Sequence, residues 1–182
     1  MNSDTSFAFK DVSLNGERVT LRTLHPEDTS EEHASWLNDP IINRYLETRS
    51  TTLPELREYI AKKFESADAL LLGIFWKETG EHIGNIKLEP IDLKEKTAML
   101  GLLIGAKKYW GQGIGTESTA LVTNFAFQNL ELGEIRLGVI ADNKPAIRVY
   151  EKCGFVIDHI EKDGINHDGV LHDKVHMIKK AQ

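Results

Sequence analysis

Between Leu70 and Ile104 the chain carries three strand-length runs in succession, separated only by short polar connectors. Leu70 to Trp76 is continuously apolar, as in a strand buried on both faces, and Glu78-Thr79-Gly80-Glu81 supplies a hairpin turn. His82 to Ile91 and Thr97 to Ile104 follow, joined by Asp92 to Lys96. Connectors this short join antiparallel neighbours, so the stretch reads as a meander. The pattern then changes to helix, strand, helix, over Ile114 to Leu130, Glu134 to Ile140 and Asn143 to Cys153. Two last strands, Phe155 to Glu161 and Lys174 to Ile178, flank a polar turn. A meander followed by strand-helix units predicts one α/β domain with a mixed sheet and helices on both faces. A length of 182 residues suits a single domain.

Upstream, Arg18 to Leu24 alternates, with Val19 and Leu21 on one face, and reads as a first strand. Pro26 and Asp28 suit the first turn of a helix running toward Trp36 and Leu37, which Asn38-Asp39-Pro40 breaks. A short apolar piece, Ile41 to Leu46, leads into a second helix carrying Leu56, Tyr59, Ile60 and Phe64. Thr52 and Glu55 form a capping box there, and Pro54 falls in the first turn. Residues 1–15 read as a peripheral or poorly ordered segment.

Lys and Arg number 22 against 28 Asp and Glu, a formal charge of −6, which argues against an extended nucleic-acid surface. The single Cys153 excludes an intramolecular disulfide and a multi-Cys zinc site. It fits a reducing compartment. No stretch reaches the roughly eighteen apolar residues of a membrane span. Met1 to Lys10 lacks the order of a secretory signal, so a cytoplasmic location is expected.

The segment Trp110-Gly111-Gln112-Gly113-Ile114-Gly115 joins a strand to a long amphipathic helix presenting Leu121, Val122 and Phe125. The leading N–H groups of a helix have no partners within it, and the macrodipole places partial positive charge there. Three glycines without Cβ let a phosphate approach those donors closely. Lys107 and Lys108 just upstream add cationic screening. The P-loop pattern fails, because no Lys follows Gly115 before Thr116. The dinucleotide fingerprint fails too, since Thr116 and Ser118 stand where its last glycine belongs and the loop follows a meander. About thirty residues on, Asn143 can cap a helix, Pro145 fits its first turn and Gly154 is a natural C′ residue. On spacing alone Tyr150 in this helix is a core aromatic.

Together Gly111 to Gly115 and Asn143-Lys144-Pro145-Ala146-Ile147-Arg148-Val149-Tyr150-Glu151-Lys152-Cys153-Gly154-Phe155 resemble the GNAT acetyltransferase family. Trp36-Leu37-Asn38-Asp39-Pro40, Ile83-Gly84-Asn85-Ile86 and Tyr109 to Gly113 resemble the branch holding ribosomal-protein N-terminal acetyltransferases and small-molecule and amino-sugar N-acetyltransferases. The resemblance implies a mostly antiparallel sheet splayed in the middle, and direct transfer of acetyl from acetyl-CoA, without a metal, to a primary amine. The acceptor would be a small-molecule amine or a peptide N-terminus, and the enzyme a monomer or homodimer.

Carried over by residue, the CoA pyrophosphate would lie on the N–H groups of Gly111, Gln112, Gly113, Ile114, Gly115 and Thr116. The pantetheine arm would pair with Leu102, Leu103 and Ile104. Gly101 and Gly105 bracket that stretch, as in a bulge that splays the strand from its neighbour. Asn143 matches the family's CoA-contacting Asn, and Tyr150 the Tyr that protonates the leaving thiolate. Trp36, Asn43, Arg44, Tyr45 and Glu47 fall where the fold forms its acceptor cleft, with Trp36, Asn43 and Tyr45 the expected contacts.

The chain departs from the family at Trp110, where many relatives carry Arg or Gln, and at Met99, where many place the carboxylate that deprotonates the amine. Glu89 on the neighbouring strand is the candidate base in its stead. Met99 also motivates a second reading, a non-catalytic acyl-CoA-binding module. Cys153 reads as a packing residue. His159, His167, His172 and His176, interleaved with Asp158, Asp163, Asp168 and Asp173, lack a third metal ligand fixed by spacing.

Overall fold

The computed structural model describes residues 11–46, 50–167 and 169–182, so Glu47 and Asp168 lie outside the described residues. Eight strands form one sheet: β1 (Ser13–Asn15), β2 (Val19–Thr23), β3 (Leu70–Trp76), β4 (His82–Asp92), β5 (Thr97–Ile104), β6 (Glu134–Ile140), β7 (Val156–His167) and β8 (Val170–Lys180). Their spatial order is β1-β2-β3-β4-β5-β6-β8-β7, and only the β5–β6 pair is parallel. Among the described residues the α-helices are α1 (Glu31–Asn38), α2 (Leu53–Glu65), α3 (Ile114–Gln128) and α4 (Lys144–Lys152).

Alternation along β3 shows how the layers form. Leu70, Leu72 and Ile74 enter the larger core with Val122 and Ala126 of α3 and Ile147 and Tyr150 of α4. Leu71 and Phe75 turn the other way, onto Leu24, Ala34, Leu56 and Ile60, so α1 and α2 cover the opposite face. Burial on both faces is why β3 reads as an unbroken apolar run.

The first helix begins later than Pro26 suggests. Pro26–Asp28 is a separate 3₁₀ turn, in which Asp28 accepts from the His25 N–H at 2.8 Å and takes a two-pronged bond from Arg22 at 2.7 and 2.8 Å. Ser30 then caps α1, accepting from the His33 N–H at 3.1 Å. The expected capping box of Thr52 and Glu55 does open α2. Ser13 to Asn15 pairs with β2 as the edge strand of the sheet, and Val12 beside it is buried. The last hairpin is longer at both strands than the sequence pattern indicates, because its outer strand is exposed and carries no clean alternation.

The feature that positions the site is a split in the sheet. β5 pairs with β6 at only three positions, Thr97↔Glu134, Ala98↔Ile135 and Met99↔Arg136. Its ladder with β4 continues to Gly84↔Ile104, while β6 runs beside β8 as far as Ile140↔Lys174. From Leu100 to Ile104 one edge of β5 therefore has no strand partner. The bulge lies on β4, where Glu89 and Pro90 together oppose Met99, and not at Gly101 or Gly105 as expected.

Gly105 has a different task. A Cβ there would fall 2.0 Å from the Trp36 ring of α1, which rests directly on the backbone. Overpacking of this kind costs about 1–3 kcal/mol. Gly105→Ala is expected to lower the melting temperature by roughly 2–12 °C, read by thermal unfolding. An unchanged value would show that α1 yields freely at this contact.

Candidate active site

Six consecutive backbone N–H groups, Gly111 to Thr116, have no acceptor among the described residues; the first helical bond of α3 is Glu117 N–H to Gly113 C=O, at 3.0 Å. Gly111 and Gly113 adopt φ of +74° and +79°, conformations open to glycine at little cost. Gly115 serves close packing instead. A Cβ on it would lie 3.3 Å from Leu102 of β5 and 3.5 Å from Val149 of α4. The start of α3 thus closes over the point where β5 and β6 part.

α4 follows β6 from the open end of the split, with Asn143 at its start and Tyr150 about two turns on. Asn143 caps the helix through its side-chain oxygen, which accepts from the Ala146 N–H at 3.3 Å, leaving its NH₂ for another acceptor. Tyr150 is 6% exposed, packs edge-on against Phe155 at 5.8 Å, and its hydroxyl has no hydrogen-bond partner among the described residues. Burial pushes its pKa up to about 12, with Cys153 adding to the rise. The Cys153 thiol donates to the Thr116 carbonyl at 3.3 Å and joins α4 to the first turn of α3. Burial raises its pKa, which fits packing and not nucleophilic chemistry.

The expected screening of the loop by Lys107 and Lys108 does not hold. Lys107 pairs with Asp39 at 2.5 Å and Lys108 with Glu81 at 2.7 Å, so neither ammonium is held for the glycine loop. The cation at the loop is Arg18, whose guanidinium engages the Gln112 carbonyl and lies 3.1 Å from where a Gly113 Cβ would be. Trp110, 43% exposed, donates its indole N–H to the Ile104 carbonyl at 2.8 Å. That carbonyl is therefore occupied, and the free edge of β5 centres on Gly101 to Leu103.

Glu89 lies beside the split, but two ammonium groups hold it. Lys63 of α2 bonds one carboxylate oxygen and Lys87 the other, the latter at 3.0 Å. Burial alone would raise the Glu89 pKa; the two lysine hydrogen bonds outweigh it and hold the group below the ordinary carboxylate range. It is an anion with little appetite for a proton, which speaks against the role of general base. The Lys87 stem lies over Gly101, 3.3 Å from where a Cβ would be. Its ammonium stands 3.5 Å from the Tyr59 hydroxyl.

The residues placed at an acceptor cleft fare unevenly. Trp36 is 4% exposed and walled in by Gly105, His33 and His82. Asn43 is buried and donates to the Leu37 carbonyl at 2.7 Å, tying the 43–45 turn to the end of α1. Tyr45 is half-buried under the Arg44 guanidinium, 5.1 Å from its ring. The histidines go separate ways: His159 stacks on His176, which bonds Glu161 at 3.0 Å, while His172 reaches Asp142 at 3.3 Å.

With this geometry in view, comparison with known proteins is direct. Residues 18–156 match the model of the acetyltransferase (GNAT) domain. An uncharacterised N-acetyltransferase of Bacillus licheniformis is 28% identical over 160 residues, 86% of each chain. The structure of spermidine N-acetyltransferase from Vibrio cholerae, in complex with CoA and spermine, superposes with a TM-score of 0.82 at 24% identity, covering 90% of this chain and 95% of that one. A ribosomal-protein alanine acetyltransferase from Vibrio fischeri gives 0.79 at 19% identity, over 93% and 97%. The chain belongs to the GNAT family and is an acetyltransferase.

Proposed function

We propose that the enzyme moves an acetyl group from acetyl-CoA directly to a primary amine, with both substrates bound together. The observation that carries this reading is the continuity between the unpaired edge of β5 and the six free N–H groups of the glycine loop. An extended arm with two amides can pair with Leu102 and its neighbours, and a pyrophosphate can lie on Gly111 to Thr116. When bound, acetyl-CoA supplies a thioester carbon open to attack. An N–H on the free edge of β5 stabilises the oxyanion. The Asn143 NH₂ is available to the arm.

Tyr150 faces the leaving group in this reading. A phenol held near 12 stays protonated at every working pH, but it stands above a thiol's value of about 8.5. It therefore gives the thiolate a hydrogen bond more readily than a proton. Tyr150→Phe is expected to lower turnover about tenfold or more while acetyl-CoA affinity and melting temperature stay level. The temperature should not fall, because the hydroxyl has no protein partner to lose. Unchanged turnover would remove Tyr150 from the chemistry.

With Glu89 held as a weakly basic anion and Met99 unable to accept a proton, either another group or water takes the proton or the amine arrives neutral; we propose the second. A lysine-like amine is only about 0.1% neutral at pH 7.4, an α-amine about 30%. Lys63 and Lys87 outnumber Glu89 on this wall, which disfavours a polycation such as the spermidine of the Vibrio cholerae relative. An α-amine, as at a peptide N-terminus or on a small amino compound, fits both constraints. kcat/KM for such an amine is expected to climb with pH along the amine's own ionisation, with a slope of one on the acid side. A slope of two would reveal an enzymic base.

The first test is thermal unfolding with acetyl-CoA, against dephospho-CoA and ATP. A ligand at about 100 times its Kd adds roughly 2.7 kcal/mol, a rise of about 5–11 °C here. No rise would end the reading. The non-catalytic alternative, favoured by Met99 and by the lysines on Glu89, predicts the rise without thiol release for any amine. One reproducible acceptor would dismiss it.

A further inference from the structure

We infer that Arg18 and Glu117 form a clamp that presets the glycine loop for a diphosphate, an inference that rests on the acetyl-CoA reading above. Three turns meet at this pair. Glu117, in the first turn of α3, accepts with one oxygen from the Arg18 and Val19 N–H groups, at 2.8 and 3.2 Å. Its other oxygen accepts from Arg18 Nε at 2.9 Å. These bonds and the guanidinium charge hold its carboxyl below the ordinary range although burial opposes them. Arg18 Nη1 then takes the Gln112 carbonyl. The β1–β2 turn is shaped around the pair, since a Cβ on Gly16 would fall 2.3 Å from the Glu117 carboxylate.

The consequence for the loop follows from peptide geometry. In a planar trans peptide the C=O of one residue and the N–H of the next point in opposite directions. Drawing the Gln112 carbonyl toward Arg18 therefore turns the Gly113 N–H away from the guanidinium. It also withdraws a carbonyl dipole from a place meant for anions. The clamp answers a second difficulty, because an unpaired Glu117 at the head of α3 would repel a phosphate. Paired with Arg18 it presents no net charge. Arg18 remains 39% exposed at its side chain, with its second terminal nitrogen beside Gly113, so positive charge still backs the loop.

Arg18 is thus a positioning residue, acting through the Gln112–Gly113 peptide. The test is calorimetric titration of CoA, dephospho-CoA and phosphate-free pantetheine into the full chain. Arg18→Met is expected to raise Kd for CoA and dephospho-CoA alike, about tenfold or more, and to leave pantetheine unaltered. Adding Glu117→Gln to Arg18→Met should recover part of the loss, because the bared carboxylate is gone. Arg18→Lys, which keeps the charge and guards against misfolding, should fall between, since one ammonium cannot serve Glu117 and the Gln112 carbonyl in the same geometry. Equal Kd values for CoA in wild type, Arg18→Met and Arg18→Lys would overturn the clamp while leaving the acetyl-CoA reading intact. So would a loss confined to CoA, which would place Arg18 at the 3′-phosphate. If the wild-type chain binds neither CoA nor dephospho-CoA, the reading falls and the clamp with it.

Discussion

The parting of β5 from β6 after three residue pairs is the constraint on which the rest of the site depends. A parallel pair left open would expose strand edges on both sides, and exposed edges invite wrong partners. Here the opening is held by what stands above it. The first turn of α3 comes down between Leu102 and Val149 at Gly115, and the end of α4 is joined to it by the Cys153 thiol on the Thr116 carbonyl. β4 keeps β5 in place on the other side along its whole length, and its bulge at Glu89 and Pro90 takes up the change of direction opposite Met99. The free edge is thereby shielded by packing while its hydrogen-bonding groups stay available.

The same argument explains why glycine recurs around the split. Gly105 admits Trp36, Gly115 admits the approach of a strand and a helix, and Gly84 lets the Leu103 carbonyl lie 2.3 Å from where its Cβ would be. These are steric demands. At Gly111 and Gly113 the demand is conformational, a positive φ that turns the chain into α3. Two different physical needs thus produce what looks in the sequence like one glycine-rich region.

Legibility from sequence follows the range of the interactions. β3, β5 and β6 could be bounded to the residue: burial on both faces makes β3 an unbroken apolar run, while β6 buries Ile135, Leu137 and Val139 in alternation with more exposed residues. The capping box at Thr52 and the cap at Asn143 are local devices, visible within four residues. The 3₁₀ turn at Pro26 misled because proline and a following acid open a single turn as readily as a helix, and Ser30 was the cap that mattered. Analogy with a fold puts Trp36 and Asn43 near an acceptor cleft but does not show that both are buried. Arg18 and Glu117 lie 99 positions apart, Lys63 and Glu89 26 apart. No pattern within one segment could announce either pair, and yet the first sets the loop and the second disarms the expected base.

That disarming shapes what the site can select. On the proposed reading the Tyr150 phenol is held near 12 by burial and the nearby carboxylate is held down by two lysines, so neither changes charge near neutrality. The proton accounting passes to the acceptor. At pH 7.4 an α-amine offers about 300 times more of its neutral form than a lysine-like amine does, equivalent to roughly 3.4 kcal/mol. A positioned general base contributes typically 10²–10⁴-fold. The two magnitudes are comparable, so choosing an amine that is already neutral can stand in for a base. If no other group serves as base, the lack of a carboxylate at Met99 acts on this reading as a filter. It costs little with an α-amine and hundreds-fold with a lysine side chain, and a site without a base discriminates by ionisation where its walls need not discriminate by shape.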